Sequence, residues 1–380
     1  MVIKPVRGIL RGGPAAAVVA GVSITLAAGV VPAAADTDAA LSGGTWGTAQ
    51  EVPGTAALNA GGGAVTDSVS CASAGNCSAG GGYADGSGHG QAFVAGERNG
   101  TWGTAREVPG SAALNQGGAA AASSVSCAVA GDCAAGGFYT DSSRREQAFV
   151  ASEVNGIWQK AIEVPGTAAL NRGRAAAASS VSCASAGNCA AGGSYISSGD
   201  GRAFVASEVS GIWQAAIQVP GTAALNQGGQ AAVGSVSCAS AGNCAAAGSY
   251  TDSSGHAQAF VASEVNATWA AAGELPGTAA LNQGGHAGAG SVSCASAGNC
   301  AAAGGYTDSS GREQAFVAGE VNGIWQKAIE VPGTAALNQG GQAGAFSVSC
   351  ASAGNCGAGG SYTDSSGHEQ AFVVNQTTRT

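Results

Sequence analysis

Apolar residues recur along the chain in short runs that have strand length and no helical spacing. Residues such as Asn155-Gly156, which accept positive φ, suit the tight turns between these runs, and Pro165-Gly166 ends the last of them. In the second copy of the pattern the predicted strands are Ser124–Cys127, Cys133–Tyr139, Gln147–Val154 and Ile157–Val164. The pattern predicts four short antiparallel strands joined by hairpins.

The four-strand pattern returns six times, and the tryptophans mark its period. Their spacings are 56, 56, 55, 56 and 56 residues. The tryptophans are Trp46, Trp102, Trp158, Trp213, Trp269 and Trp325. A long fixed period in a Gly-rich chain indicates a propeller, a solenoid or an array. Four antiparallel strands per repeat favour an all-β fold, a six-bladed β-propeller with four-stranded blades.

The two ends of the repeat region favour a closed ring. After a leader, the repeats begin at a fourth-strand element, Thr45–Thr48, and finish after a third-strand element, Gln370–Val374. We expect the N-terminal strand to complete the last blade, because pairing there leaves no exposed sheet edge. A linear solenoid would instead favour atypical capping repeats at its ends. The predicted propeller domain is 36–380.

Residues 1–35 have the features of a secretory signal peptide. Lys4, Arg7 and Arg11 precede an apolar run over residues 14–31, and three alanines follow before Asp36. An uncleaved membrane anchor is the alternative, since the run is just long enough to span a bilayer. The segment predicts a secreted, extracellular protein with no membrane span after cleavage.

Composition and charge narrow the class of partner. The chain has 65 Gly and only 10% charged residues, but Val, Phe, Tyr and Trp recur at fixed positions, which favours a folded core over disorder. The formal net charge is −9, and removal of the leader makes it −12. A phosphate backbone would be repelled, so we expect no nucleic acid partner. No cofactor is expected, and we expect a monomer.

The twelve cysteines form six Cys-x5-Cys units, which predict six local disulfides in an exported chain. The expected pairs are Cys71 with Cys77, Cys127 with Cys133, Cys183 with Cys189, Cys238 with Cys244, Cys294 with Cys300, and Cys350 with Cys356. Metal ligation is the competing interpretation, but the four histidines do not repeat with the cysteines, so no metal site is expected. Pairing between neighbouring blades stays open.

The stretch Ser152–Trp158 resembles, in degenerate form, the Asp-box hairpin of sialidase-type propellers. The likeness recurs around Trp102, Trp213, Trp269 and Trp325. The whole repeat also resembles those of secreted bacterial β-propeller repeat proteins. These resemblances imply a propeller fold and an extracellular location.

The repeats differ from one another mainly in two loops, which a propeller would place on one face. One loop follows the second strand and the other precedes the first strand of the next repeat. The candidate binding residues there are Arg144, Arg145, Arg172, Arg174, His256, His286, Arg312 and His368. Free drift of solvated loop positions is the competing interpretation. The turn aspartates, such as Asp141, offer one carboxylate each, which is a weak calcium site.

Near-identical repeats supply the same side chains six times, whereas an enzyme needs a particular convergent set. We therefore expect a non-catalytic extracellular platform that binds a glycan, the cell wall or a protein, and no enzyme. One alternative is a lectin with one Trp-based sugar site per blade, although packing of each Trp between blades is favoured. A purely structural envelope protein is the other alternative.

Overall fold

The computed structural model describes residues 48–376, and in these residues every repeat forms an antiparallel β-sheet. The chain divides into a unit of residues 1–49 and a unit of residues 50–380. The predicted signal peptide and Trp46 lie outside the described residues. Among residues 48–376, no helix is long and apolar enough to cross a membrane.

The first three sheets have five strand segments each. Sheet 1 contains β1 (Ala64–Ser73), β2 (Asn76–Ala84), β3 (Gly90–Arg98), β4 (Thr101–Trp102) and β5 (Arg106–Glu107). Sheet 2 contains β6 (Ala120–Val129), β7 (Asp132–Thr140), β8 (Glu146–Val154), β9 (Ile157–Trp158) and β10 (Ile162–Glu163). Sheet 3 contains β11 (Ala176–Ser185), β12 (Asn188–Ser197), β13 (Asp200–Val209), β14 (Ile212–Trp213) and β15 (Ile217–Gln218).

The next two sheets repeat this arrangement, and the last has three strands. Sheet 4 contains β16 (Ala231–Ser240), β17 (Asn243–Thr251), β18 (Ala257–Val265), β19 (Thr268–Trp269) and β20 (Gly273–Glu274). Sheet 5 contains β21 (Ala287–Ser296), β22 (Asn299–Thr307), β23 (Glu313–Val321), β24 (Ile324–Trp325) and β25 (Ile329–Glu330). Sheet 6 contains β26 (Ala343–Ser352), β27 (Asn355–Thr363) and β28 (Glu369–Asn375).

The predicted fourth strand is divided in two. β9 and β10 both pair with β8, and residues 159–161 leave the ladder between them. At this interruption the N–H of Ala161 donates to the carbonyl of Pro109, 2.7 Å away in the loop before sheet 2. The prediction of a continuous strand Ile157–Val164 is therefore wrong, because a backbone bond to the preceding repeat replaces part of the ladder.

A helical turn in each inter-sheet loop was not predicted from the sequence. The turns are α1 (Thr55–Leu58), α2 (Ser111–Leu114), α3 (Thr167–Leu170), α4 (Thr222–Leu225), α5 (Thr278–Leu281) and α6 (Thr334–Leu337). Gly166 precedes α3 with φ 82°, a conformation that glycine adopts without steric cost. The Thr167 hydroxyl donates to the carbonyl of Val164 at 2.7 Å. The helical turn is thus bonded to the end of the strand that precedes it.

The six predicted disulfides are confirmed, each within its own hairpin. The S–S distances run from 2.01 Å for Cys71–Cys77 to 2.09 Å for Cys183–Cys189. The two cysteines of each pair are register partners in the first and second strands, as in Cys127 and Cys133. Their Cα atoms are 3.9 to 4.0 Å apart. Pairing between neighbouring blades does not occur.

The core lies between successive sheets. Val150 of sheet 2 is fully buried and packs with Ala178 and Val181 of sheet 3. Small residues allow the sheets to approach closely: a Cβ added at Gly192 would lie 2.6 Å from Cγ1 of Val233 in the next sheet. The same apolar contacts recur from sheet to sheet, so each sheet buries its neighbour's face.

Serine hydroxyls join the first strands of successive sheets. The N–H of Val125 donates to Oγ of Ser68 at 3.1 Å, and the N–H of Cys127 donates to Oγ of Ser70 at 3.0 Å. The equivalent bonds recur between all later pairs of sheets up to sheet 6. The first strand of each sheet therefore lies beside the first strand of the next sheet.

The first and last sheets differ from the others because each has a free face. No strand pairing joins sheet 1 to sheet 6 within residues 48–376. Val69 is 56% exposed, whereas its equivalent Val181 is 5% exposed. Val373 is 85% exposed, whereas its equivalent Val150 is fully buried. Six antiparallel sheets are thus shown, and closure into a ring stays a prediction.

Candidate functional site

The loops lie on two opposite faces of the sheets. The N–H of Gly156, in a third-to-fourth-strand turn, donates to the carbonyl of Gly131 in the cysteine hairpin at 2.8 Å. The N–H of Gly117, in an inter-sheet loop, donates to the carbonyl of Thr140 at the aspartate turn at 2.7 Å. We name the second set the variable-loop face. It comprises residues 85–89, 141–145, 198–200, 252–256, 308–312 and 364–368, and residues 59–63, 115–119, 171–175, 226–230, 282–286 and 338–342.

In sheets 1, 2, 4 and 5, a hydrogen-bond frame joins the aspartate turn to the next inter-sheet loop. Asp141 Oδ1 accepts from the N–H groups of Ser143 and Arg145 at 2.8 and 3.0 Å. Its Oδ2 accepts from Nε2 of Gln147 at 3.0 Å, and Oε1 of Gln147 accepts from Nδ2 of Asn171 at 2.9 Å. The same Asp, Gln and Asn recur as Asp85, Gln91 and Asn115; Asp252, Gln258 and Asn282; and Asp308, Gln314 and Asn338.

The turn carboxylates serve this frame. Burial alone would raise the pKa of Asp141, but the hydrogen bonds from Arg145, Gln147 and Ser143 lower it. For Asp252 the bond from Gln258 is the largest cause of the lowered pKa. In residues 48–376, no three His, Cys, Asp or Glu side chains converge as a metal site would require.

The structure distributes the eight predicted binding residues over four places. Arg144 and Arg145 lie in the turn of sheet 2, and Arg172 and Arg174 lie in the loop that follows. The N–H of Glu146 donates to the carbonyl of Arg174 at 2.9 Å, so the two loops are in contact.

His256 and His286 stand in the same relation between sheets 4 and 5. The N–H of Ala257 donates to the carbonyl of Gly285 at 3.0 Å. Arg312 lies in the turn of sheet 5 and His368 in that of sheet 6. All eight side chains are exposed.

The last residue of several turns packs over a glycine of the next loop, which the sequence did not predict. A Cβ added at Gly118 would lie 2.8 Å from Cδ2 of His89. One added at Gly285 would lie 2.7 Å from Cδ2 of His256. Glycine therefore makes room for a long turn side chain between adjacent sheets.

The opposite side of the sheets carries a buried polar clasp. Trp213 Nε1 donates to Oγ of Ser152 at 3.0 Å, and this hydroxyl donates to Oε1 of Glu208 at 2.7 Å. Glu208 is 3% exposed. Burial raises its pKa, and the bond from Ser152 opposes that rise. Ser207, Glu264 and Trp269 repeat the arrangement.

Three of the five described tryptophans are buried between sheets, as favoured from the sequence. Trp158, Trp213 and Trp269 are 6 to 8% exposed and contact both adjoining sheets. This burial leaves no indole face for a sugar at these three positions, which removes the lectin alternative there.

Where the clasp serine is missing, the sequence compensates. Gly96 of sheet 1 stands where a serine would donate to Glu153 of sheet 2. Nη2 of Arg98 instead donates to Oε1 of Glu153 at 2.9 Å. Gly319 also stands at that position, and the carboxylate that would need a donor is replaced by Gln376. Sequence reasoning missed these buried carboxylates, although Ser and Glu at a spacing of 56 or 57 residues mark them.

Searches of protein families and of curated proteins found no match to this chain. Three solved structures that it resembles are a protein of unknown function from Dyadobacter fermentans, the Hadza microbial sialidase Hz136 and a GH74 xyloglucanase from Xanthomonas campestris. Their identities are 11, 11 and 13%, and their TM-scores are 0.41, 0.41 and 0.43. The matches cover 83, 81 and 80% of this chain and 95, 65 and 46% of the other chains.

The similar structures contradict the prediction that the chain is not an enzyme. Most are described as sialidases, neuraminidase-like proteins or glycoside hydrolases. Their identities of 10 to 13% and TM-scores of 0.28 to 0.43 assign no reaction, substrate or catalytic residue to this chain.

Proposed function

We propose that this chain is an exported repeat protein that binds an extracellular ligand through the variable-loop face. The ligand class is a glycan, a cell-wall fragment or a protein. One observation carries the proposal: exposed charged and histidine side chains that differ between repeats stand beside a hydrogen-bond frame that recurs in sheets 1, 2, 4 and 5.

The contrast between the two faces supports this choice. The cysteine hairpins repeat Ala-Ser-Ala-Gly-Asn in five of six copies, whereas the variable-loop face carries Arg, His, Gln or Gly at matching positions. A scaffold that fixes loop backbones and varies their side chains is typical of binding surfaces.

Export is supported by the leader and by the disulfides. Disulfides form and persist in oxidising compartments, and all twelve cysteines are paired. Residues 1–35 are proposed as the signal peptide that directs the chain there. The hairpin likeness around Trp158 supports a relation to secreted bacterial propeller proteins.

We also propose that the six sheets close into a propeller. The free faces of sheets 1 and 6 carry the valines that interior sheets bury. Ser347 and Ser349 are exposed on β26, at the positions that accept N–H groups of the next sheet elsewhere. Asn375 stands at the clasp serine position and could donate to Glu97 of sheet 1, as Ser152 donates to Glu208.

The binding proposal is tested with the mature chain, residues 36–380, on glycan arrays and cell-wall extracts. In one variant the eight predicted residues become neutral, with Gly at 144 and 174, Gln at 172 and Ser elsewhere. The control variant carries Arg106→Ile, Lys160→Ala and Lys327→Ala, residues that other repeats have at these positions in or beside the split fourth strand. We expect the eightfold variant to lose binding and the control to keep it. Binding that survives the eightfold variant would contradict the proposal.

A further inference from the structure

Four arginines stand together between sheets 2 and 3. Arg144 and Arg145 end one loop, and Arg172 and Arg174 lie in the loop bonded to it. All four side chains are exposed. The other repeats place at most one Arg in the equivalent loop pair, so this pair has a character of its own.

Arg144 has a backbone conformation that is unfavourable for a residue with a side chain. Its φ is 58°, and the equivalent residues Gly88, Gly255, Gly311 and Gly367 have φ of 76 to 81°. A side chain in the left-handed region costs about 1 kcal/mol relative to glycine. The arginine is thus present at a position where four repeats avoid any side chain.

Arg174 also replaces a glycine. Gly118, Gly229, Gly285 and Gly341 stand at the matching position, and a turn residue packs over each of them. The four are His89 over Gly118, Asp200 over Gly229, His256 over Gly285 and Arg312 over Gly341. Arg174 instead adds a second guanidinium beside the turn of Arg145.

None of the four arginines forms an ion pair in the part of the chain that the structure describes. The two ion pairs there are Arg98 with Glu153 and Arg202 with Asp200. The nearest acids in sequence are Asp141, whose oxygens accept from the turn and Gln147, and the half-buried Glu146. Four guanidinium groups without an ion pair therefore face solvent in a chain with net charge −9, and only that of Arg145 acts on a neighbouring carboxylate, Asp141, whose pKa it helps to lower.

We propose that this cluster binds an acidic polysaccharide through its carboxylate, sulfate or phosphate groups. The guanidinium fork matches such oxyanions with two parallel hydrogen bonds. The loops otherwise present Ser142, Ser143 and Gly173, and Phe346 of sheet 6 is the one aromatic among the strongly exposed apolar residues of 48–376. The cluster therefore offers no aromatic side chain on which a base could stack and no large apolar side chain that could anchor a protein. This disfavours single-stranded nucleic acid and proteins as ligands. The inference rests on the proposed function and names its ligand class.

The test measures binding of the mature chain to polygalacturonate, dextran sulfate and phosphomannan, which separate the three oxyanions. Neutral dextran and single-stranded DNA are the comparison ligands. The cluster variant carries Arg144→Gly, Arg172→Gln and Arg174→Gly, residues that other repeats have at these positions. The control removes the same charge elsewhere through Arg106→Ile, Lys160→Ala and Lys327→Ala. Circular dichroism and thermal melting check the folding of both.

We expect at least one acidic polymer to bind, neutral dextran not to bind, and the cluster variant to lose about tenfold in affinity near 150 mM salt. The control should stay within about twofold of the wild type. Equal losses in both variants, no binding of any acidic polymer, or equally tight DNA binding would each overturn the inference. Glycan binding on the same face that ignores the cluster variant overturns this inference and leaves the proposed function standing.

Discussion

At the scale of single residues, the buried carboxylates carry a desolvation cost, because burial disfavours a charge. Glu208, Glu264 and Glu320 are 2 to 4% exposed, and each accepts one serine hydroxyl. Oε2 of Glu208 has no partner. Burial raises the pKa of all three, because desolvation disfavours their charged form. In sheet 6 the equivalent position holds an uncharged residue, Gln376.

We expect Glu208→Gln to stabilise the protein at neutral pH by about 1 kcal/mol, because it removes a buried charge. A glutamate whose folded pKa is raised contributes stability below its unfolded pKa and loses it as pH rises through the folded value. The gain should therefore shrink on acidification. Urea unfolding at several pH values measures it. The exposed Glu313→Gln is the control, and a gain that grows on acidification would contradict the account.

At the scale of elements, each repeat compensates for thin packing with a covalent hairpin. The second strand is rich in Ala and Gly, as in Asn243–Thr251, and offers little apolar volume. The disulfide joins this strand to the first one, where Cys238 and Cys244 are register partners. The split fourth strand and the helical turn then connect the hairpin to the preceding repeat.

Replacing one hairpin disulfide by two serines, Cys183→Ser with Cys189→Ser, should lower the free energy of unfolding by about 2 kcal/mol. The short loop limits the entropy that the crosslink removes from the unfolded chain. Phe204→Ala, which empties a fully buried position, should cost more, about 3 to 5 kcal/mol. Denaturant titration compares the two. A larger loss for the disulfide variant would show that the hairpin packing depends on the crosslink.

At the scale of the whole molecule, the free faces of sheets 1 and 6 are the surfaces that ring closure would bury. Interior sheets show what such a face contacts: Val150 of one sheet packs against Val181 of the next. Val373 and Val69 are the corresponding residues on the two free faces. The same packing between them would close the ring.

The substitution Val373→Asp distinguishes a closed ring from an open row of six sheets. In a closed ring the substitution should destabilise the protein as severely as Val150→Asp, by about 3 kcal/mol or more, because it buries an unpaired charge. Val154→Asp, at a residue 42% exposed, is the neutral control. Light scattering then shows whether the contact forms within one chain, as a monomer, or between copies. If Val373→Asp left the free energy of unfolding unchanged, closure would be contradicted.

The sequence by itself determined the repeat, its hairpins and its disulfides, because these depend on local spacing. Asn155-Gly156 specifies a turn, and Cys127 and Cys133 are held opposite each other by the hairpin between them. The placement of the aspartate turns beside the inter-sheet loops also followed from strand alternation.

Only the tertiary structure decided what depends on a neighbouring sheet. The bond from Ala161 to Pro109 divides the fourth strand, and the clasp of Trp213, Ser152 and Glu208 spans two repeats. The contact between the loops of Arg145 and Arg174 likewise joins residues of different sheets. These features arise from the distance and orientation between sheets, which a pattern within one repeat does not contain.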